Sequence, residues 1–164
     1  MKILLAVDGS PQSEAAADEV SRLPWPAGSE IRVISVAETP HAPAVSHFGT
    51  AAGHAEALKA ARRRALEWAD GAAAKLRLDE TRGLKIDTVT PTGFAAESIL
   101  EEAETWEADL IVLGAQSQGF WERMLLGSVA LAVASRAPCS VEIVRGPRAA
   151  ESKTDAAAEP PAHT

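Results

Sequence analysis

Short apolar runs alternate with longer segments of helical periodicity along most of the chain. Ile3 to Val7 is entirely apolar, and Asp8-Gly9-Ser10-Pro11 closes it. This pattern is typical of a strand that is buried on both faces and followed by a tight turn. From Gln12 to Leu23 apolar residues recur at helical spacing, with Ser10 as the candidate N-cap and Pro11 at the first helical position. The pattern therefore predicts a strand followed by a helix.

The same unit repeats downstream. A β-branched run predicts a second strand over Ile31 to Ala37, and the segment from Glu38 to about Gly53 lacks periodicity and predicts a surface loop. A long helix ending near Asp79 is predicted by apolar residues at helical spacing, namely Leu58, Ala61, Ala65, Ala69, Ala72 and Leu76. The remaining predicted elements are strands over 84–90, 109–114 and 140–144, and helices over about 95–106 and 125–135. Interleaved polar residues favour a partly exposed or edge position for strand 84–90.

Five strands alternating with four helices predict an α/β domain built on an open, doubly wound, Rossmann-like parallel sheet. Helices cover both faces of such a sheet because right-handed crossovers place them there. Ligands bind outside the carboxyl ends of the strands, where the strand order reverses. We therefore expect a binding site at Asp8 to Pro11, Ala37 to Thr39, and Gly114 onward.

Composition narrows the class of protein. The chain has 164 residues, 46% of them hydrophobic, which suits one domain. Asp8 ends the first apolar run before a secretory core or membrane span is complete. The single cysteine, Cys139, excludes an internal disulfide and fits a reducing compartment, so we expect a cytoplasmic protein without membrane association. Residues 146–164 are rich in Ala, Glu and Pro, a composition typical of a disordered tail.

Charge argues against a nucleic-acid partner. The formal net charge is -7 and the pI is about 5.1, so the protein as a whole repels a phosphate backbone. Arg62-Arg63-Arg64 is the longest basic cluster, and it lies in a helical stretch. We interpret this triplet as a solvated helix face.

Several familiar sites are excluded by spacing. No Gly-x-x-x-x-Gly-Lys-[Ser/Thr] and no Gly-x-Gly-x-x-Gly follows any predicted strand. His41, His47 and His54 match no metal-ligand spacing. Ser117 lies in a small-x-Ser-x-Gly turn like that of hydrolases, but the only histidine after it is His163 in the predicted tail. We therefore predict no catalytic residue.

Segments across the chain resemble the universal stress protein family. They are Ile3-Leu-Leu-Ala-Val-Asp-Gly-Ser-Pro-Gln-Ser13, Thr92-Gly93, Ala108-Asp-Leu-Ile-Val-Leu-Gly114, Met124-Leu-Leu-Gly-Ser-Val-Ala130 and Ala137-Pro-Cys-Ser-Val141. The resemblance implies a family domain over residues 1–145 with strand order 3-2-1-4-5. It also implies a homodimer that pairs through the edge of the fifth strand, Ser140 to Val144.

The nucleotide-binding branch of this family carries a Gly-x-x-Gly-x9-Gly-[Ser/Thr] motif. Its positions correspond here to Gly114, Ser117, Gly127 and Ser128. Glycine lets backbone amides approach a phosphate, and a helix that opens at Gly127-Ser128-Val129 offers N–H donors to an anion. The resemblance therefore implies a site for ATP, AMP or ADP.

Three more residues complete the implied ligand set. By the same resemblance Asp8 would face the ribose hydroxyls or a Mg²⁺ ion, and backbone groups near Val36 would contact the adenine. Leu113, directly before Gly114, belongs to the same set. The set predicted to bind nucleotide thus comprises Asp8, Val36, Leu113, Gly114, Ser117, Gly127, Ser128 and Val129.

Ser117 departs from the family motif, where the second glycine stands. If this position needs a left-handed backbone, serine costs about 1 kcal/mol, whereas its hydroxyl could instead donate to a phosphate. Three functions follow: a regulatory, ATP-binding homodimer in the stress response, an interaction protein with a degenerate site, or a slow metal-dependent ATPase that uses Asp8. We favour the first.

Overall fold

The computed structural model describes residues 1–38, 51–78, 83–116 and 126–146. Within these ranges the helices are α1 (Pro11–Arg22), α2 (Ala51–Arg77), α3 (Ala95–Thr105) and α4 (Ser128–Arg136). The strands are β1 (Lys2–Ala6), β2 (Glu30–Ile34), β3 (Ala37–Glu38), β4 (Lys85–Val89), β5 (Thr92–Gly93), β6 (Leu110–Gly114) and β7 (Ser140–Val144).

The long strands form one parallel five-stranded sheet in the order β4-β2-β1-β6-β7. When only these strands are counted, the order is 3-2-1-4-5, so the predicted fold is confirmed. Ile3 on the central strand pairs with Ile31 on one side and Leu110 on the other. The strand order reverses between β1 and β6, and this reversal opens a crevice at their carboxyl ends. The predicted edge position of β4 is also confirmed.

The predicted second strand, Ile31 to Ala37, is interrupted. Its first part is β2, and its last residue belongs to β3, which pairs with β5 in a separate two-stranded sheet. The Ser35 amide donates to the Val89 carbonyl at 3.2 Å, and the Ala37 amide donates to the Pro91 carbonyl at 2.8 Å. Between these two bonds the parallel ladder requires an N–H at position 91, which proline lacks. The prediction of one continuous strand was therefore wrong because of Pro91.

Helices cover both faces of the sheet, as predicted. Buried side chains of α1 and α2 pack on one face, with Val20 and Ala69 fully buried there. Buried side chains of α3 and α4 pack on the other, with Ala103 and Val133. Cys139 is half-buried against this second cluster, and burial raises the pKa of its thiol. The two cores hold the carboxyl ends of the strands between layers of helix.

The observed helix starts agree with the predicted ones for α1 and differ from them for α2 and α4. Ser10 is the N-cap of α1, since its Oγ accepts the Ser13 amide at 3.1 Å, and Pro11 opens the helix as predicted. The helix α4 begins at Ser128, three residues later than predicted, with Gly127 as its N-cap. The helix α2 begins at Ala51, inside the segment predicted as a loop. Glu38, the first residue of that predicted loop, belongs to β3. Residues 39–50 and the predicted tail after Gly146 lie outside the described residues.

No helix in the described ranges is long and apolar enough to cross a membrane.

Candidate functional site

A cavity of about 250 Å³ opens at the carboxyl ends of the strands, beside the reversal between β1 and β6. Of the residues predicted to bind nucleotide, those that line it are Asp8, Val36, Leu113, Gly114, Gly127 and Val129. They come from the ends of β1, β2 and β6 and from the start of α4. The topology therefore gathers residues that are far apart in the sequence around one space.

Two predicted residues stand apart from this set. Ser128 is exposed in the first turn of α4 and does not line the cavity. Ser117 lies outside the described residues, so the question of its backbone conformation stays a prediction.

Asp8 is half-buried at the edge of the cavity and is held by the turn that follows β1. Its Oδ1 accepts the Ser10 amide at 3.0 Å, and its own amide donates to the Ser13 hydroxyl at 3.3 Å. That hydroxyl in turn donates to the Ser10 carbonyl at 2.9 Å. These bonds place a carboxylate, an acceptor for hydroxyls and a hard ligand for Mg²⁺, at a defined position in the cavity wall.

Gly9 follows Asp8 and brings a tryptophan against the turn. Its φ of +73° is a conformation that glycine adopts without steric cost. A Cβ placed there would come within 2.8 Å of Nε1, Cε2 and Cδ1 of Trp68. The half-buried indole of Trp68 therefore lies directly on the backbone at Gly9, and it also lines the cavity.

Gly114 is required for a reason that the motif alone did not reveal. A Cβ there would lie 2.7 Å from the Gln12 carbonyl carbon and 2.9 Å from its oxygen. The end of β6 and the first turn of α1 thus approach so closely that only glycine fits. Close helix–strand packing accounts for this glycine whether or not a phosphate approaches it.

Gly127 introduces the helix α4 with φ -70° and ψ 160°, an extended conformation open to most residues. Its amide donates to the Ala115 carbonyl at 2.8 Å, which ties the start of α4 to the end of β6. Among the described residues no side chain caps this helix. The first-turn amides of α4 therefore lie beside the cavity, where Val129 and Ala130 form part of the wall, and the helix dipole favours an anion.

The helix α2 contributes residues that the sequence did not single out for binding. Ala61, Arg64 and Trp68 line the cavity. Arg64 is exposed, in keeping with the solvated face predicted for the arginine triplet, but it also borders the cavity. Arg64 lies three residues after Ala61 and four before Trp68, so helical spacing places all three on one face, but it does not show that this face borders a cavity.

The wall of the cavity is divided by chemistry. Apolar side chains, among them Ile34, Val36 and Ile99, suit a flat aromatic group, while Asp8 and Arg64 supply opposite charges. A mostly apolar pocket with a few polar groups that fix orientation is the usual form of a small-molecule site. The pocket thus offers an apolar surface for a base and polar groups for a sugar phosphate.

The sequence of this chain is similar to those of known proteins. The universal stress protein family model matches residues 1–145. A universal stress protein of Thermus aquaticus is 34% identical over 143 residues, covering 87% of this chain and 97% of that protein. Another, of Methanocaldococcus jannaschii, is 40% identical over 93 residues, or 57% of this chain; this match spans only 46% of that relative's length.

Solved structures share the fold. The universal stress protein UspA from Lactobacillus plantarum superposes with a TM-score of 0.71 at 26% identity, covering 88% of this chain and 97% of that one. A family protein from Arabidopsis thaliana with AMP bound has a TM-score of 0.58 at 18% identity, covering 94% of this chain and 97% of that one. A universal stress protein in complex with cAMP has a TM-score of 0.54 at 22% identity, with coverages of 90% and 98%. Sequence and fold agree, and the chain belongs to the universal stress protein family.

Proposed function

We propose that this protein binds an adenine nucleotide in the cavity beside β1 and β6 and acts in the cytoplasm as a regulatory homodimer in the stress response. The observation that carries the proposal is the convergence of six of the predicted ligand residues on one cavity at the strand reversal. The AMP and cAMP complexes of proteins with the same fold support the choice of ligand class.

Each part of the nucleotide has a suitable partner in the wall. The adenine packs against the apolar side chains near Val36, whose backbone supplies hydrogen-bonding groups. The ribose hydroxyls donate to the carboxylate of Asp8. The phosphate lies toward Gly114 and the start of α4, where backbone amides and the helix dipole stabilise negative charge.

ATP with Mg²⁺ is the form that we propose for the bound nucleotide. Two acidic residues, Asp8 and Glu38, line the cavity, and carboxylate oxygen is a donor that Mg²⁺ prefers. Mg²⁺ would supply charge neutralisation for a polyphosphate in a cavity whose described wall carries two carboxylates and one guanidinium. Affinity for ATP should therefore fall when the metal is chelated, while affinity for AMP changes less.

Calorimetric titration of the full chain with AMP, ADP and ATP, with and without Mg²⁺, tests the proposal. Gly127→Val should weaken binding at least about tenfold, since a side chain at the helix start blocks approach to the amides. The extended backbone at Gly127 accepts valine, so the ligand-free fold should persist. Gly71→Val is the matched control, because Gly71 is exposed on α2 and does not line this cavity. Equal affinity in Gly127→Val and the wild type would contradict the phosphate placement.

Two further measurements, an assay for ATP hydrolysis and thermal unfolding with added nucleotide, separate two other functions. Product formed from ATP by the wild type but not by Asp8→Ala would identify a metal-dependent hydrolase. Wild-type protein that neither binds an adenine nucleotide nor gains thermal stability from one would identify an interaction protein with a degenerate site.

The position of β7 at the edge of the sheet formed by the described strands supports the dimer. Its Val144 carbonyl accepts the Ala115 amide, so Ser140, Glu142 and Val144 direct their backbone groups toward β6. The intervening residues Val141 and Ile143 direct their N–H and C=O groups away from the sheet. An edge of this kind readily pairs with a second strand, and a twofold axis would satisfy both copies at once.

A further inference from the structure

Arg64 is the one basic side chain among the described residues that line the cavity. The same wall carries the carboxylates of Asp8 and Glu38. A phosphate entering the cavity would meet two like charges, with the dipole of α4 and the Arg64 guanidinium as the opposing attraction. The charge balance of the described wall therefore makes Arg64 decisive for an anionic ligand.

Arg64 differs from the two arginines that precede it in its hydrogen bonds and ion pairs. Arg62 donates from Nε to the Thr92 hydroxyl at 3.1 Å, and Arg63 lies with Nε 3.7 Å from Oε1 of Glu67. Across the described ranges Arg64 takes part in no ion pair, although two carboxylates line the same cavity. Its guanidinium is thus available to an external anion, while the two preceding arginines are engaged on the surface.

The placement of Arg64 on α2 adds a geometric argument. Ala65, the next residue, is fully buried, and Trp68, one turn later, lies on the turn at Gly9. These contacts hold the backbone of α2 against the cavity, so the Arg64 side chain starts from a fixed point. A guanidinium is planar and matches the oxygens of a phosphate with two parallel hydrogen bonds.

We propose that Arg64 is a specificity-determining residue that pairs with the phosphate of the bound nucleotide, so that the site selects nucleoside phosphates over nucleosides. The inference rests on the proposed nucleotide function and extends it to the helix α2. The phosphate would then bind a charged side chain, that of Arg64, in addition to the backbone amides near Gly114 and Gly127.

Arg64→Gln, measured against AMP and adenosine by calorimetry on the full chain, tests the assignment. AMP affinity should fall about fivefold or more, because a charge-assisted bidentate pair with phosphate is stronger than an ordinary exposed ion pair, while adenosine affinity stays within about twofold. Arg63→Gln is the matched control, since it removes an identical charge one residue away that does not line the cavity. The AMP affinity of the wild type should also fall with salt more steeply than that of Arg64→Gln.

The outcomes divide cleanly. Equal AMP affinity in Arg64→Gln and the wild type would overturn the inference, and so would equal losses for AMP and adenosine, because the latter indicate a general effect on the cavity. An equal loss of AMP affinity in Arg63→Gln would show that the effect depends only on overall charge, and it would also overturn the inference. If wild-type protein binds neither ligand, the proposed function itself fails, a result distinct from a wild type that binds AMP without using Arg64.

Discussion

Alanine at Gly9 should destabilise the domain through two separate effects. The backbone there has φ +73°, and an L-residue in this region costs about 1–2 kcal/mol. In addition the new methyl group would come within 2.8 Å of Nε1, Cε2 and Cδ1 of Trp68. Because the indole packs against the buried core that includes Ala69 and Ala73, it has little room to retreat.

The clash of the new methyl group with Trp68 is a case of overpacking, and its size follows from that. Overpacking of a filled site costs about 1–3 kcal/mol, so the two effects together should lower the free energy of unfolding by about 2–5 kcal/mol. For a protein of this size each kcal/mol lowers the melting temperature by about 2–4 °C. The expected loss for Gly9→Ala is therefore about 4–20 °C.

Gly28→Ala isolates the backbone effect. Gly28 has nearly the same φ, +78°, but a Cβ there meets no atom within 4 Å. This control should lose only about 1–2 kcal/mol. Urea denaturation of the wild type and both variants gives the free energies, with equal m-values as the check that the comparison is valid.

Trp68→Leu completes the test as a double-mutant cycle. In this background the indole is gone, so adding Gly9→Ala should cost only the backbone part. The reasoning would be refuted if Gly9→Ala cost no more than Gly28→Ala in the wild-type background, or if its cost were unchanged beside leucine. Because Trp68 also lines the cavity, Gly9→Ala should weaken AMP binding as well, whereas Gly28→Ala should leave it intact.

Three further outcomes are expected. Gly114→Ala should cost about 1–3 kcal/mol in urea denaturation, because two of the three clashing atoms belong to the Gln12 backbone and the third is its Cβ; a loss well below about 1 kcal/mol would contradict the packing. Hydrogen bonds from its own backbone amide and from Arg136 lower the pKa of Glu97. The ionised carboxylate therefore stabilises the folded protein at pH values above its ordinary pKa of 4.5, and this stabilisation is lost as the pH falls through the lowered pKa. Glu97→Gln should therefore flatten the pH dependence of unfolding below about pH 5, and identical profiles would exclude this contribution. Val141→Pro removes an outward N–H of β7 and should shift the dimer to monomer in light scattering with the fold retained; an unchanged dimer would place the interface elsewhere.

The fold was largely predictable because its strands are short, apolar and separated by clear turns. The strand over Ser140 to Val144 was predicted at its observed bounds, and Ser10 and Pro11 were correctly placed at the start of α1. The interruption of the second strand was not predicted, because it depends on a proline in a different strand. A residue at position 91 alters pairing at position 35 only after the fold has brought them together.

The candidate site was predictable where backbone geometry is encoded locally. The turn at Asp8 could be located from sequence, and Gly127 could be named as a candidate phosphate-binding residue, although the helix that follows it was predicted to begin three residues too early. Arg64 and Trp68 could not be assigned to the cavity, because an exposed helix face and a cavity wall give the same periodicity. The reason for Gly114 was equally hidden, since the residue it accommodates, Gln12, is distant in sequence.

Pro91 makes local opening of the structure easier beside the cavity. It leaves the Ser35 carbonyl without a ladder donor, and the buried Ser35 hydroxyl has no hydrogen-bond partner among the described residues. The short pair β3–β5, which carries Glu38, is thus joined to the main sheet across a weak point, and such segments open at lower free energy than the core. A ligand that contacts Val36 and Glu38 would bridge that point, and its binding would register as slower hydrogen exchange at the Ala37 amide, while amides deep in β1 exchange as before.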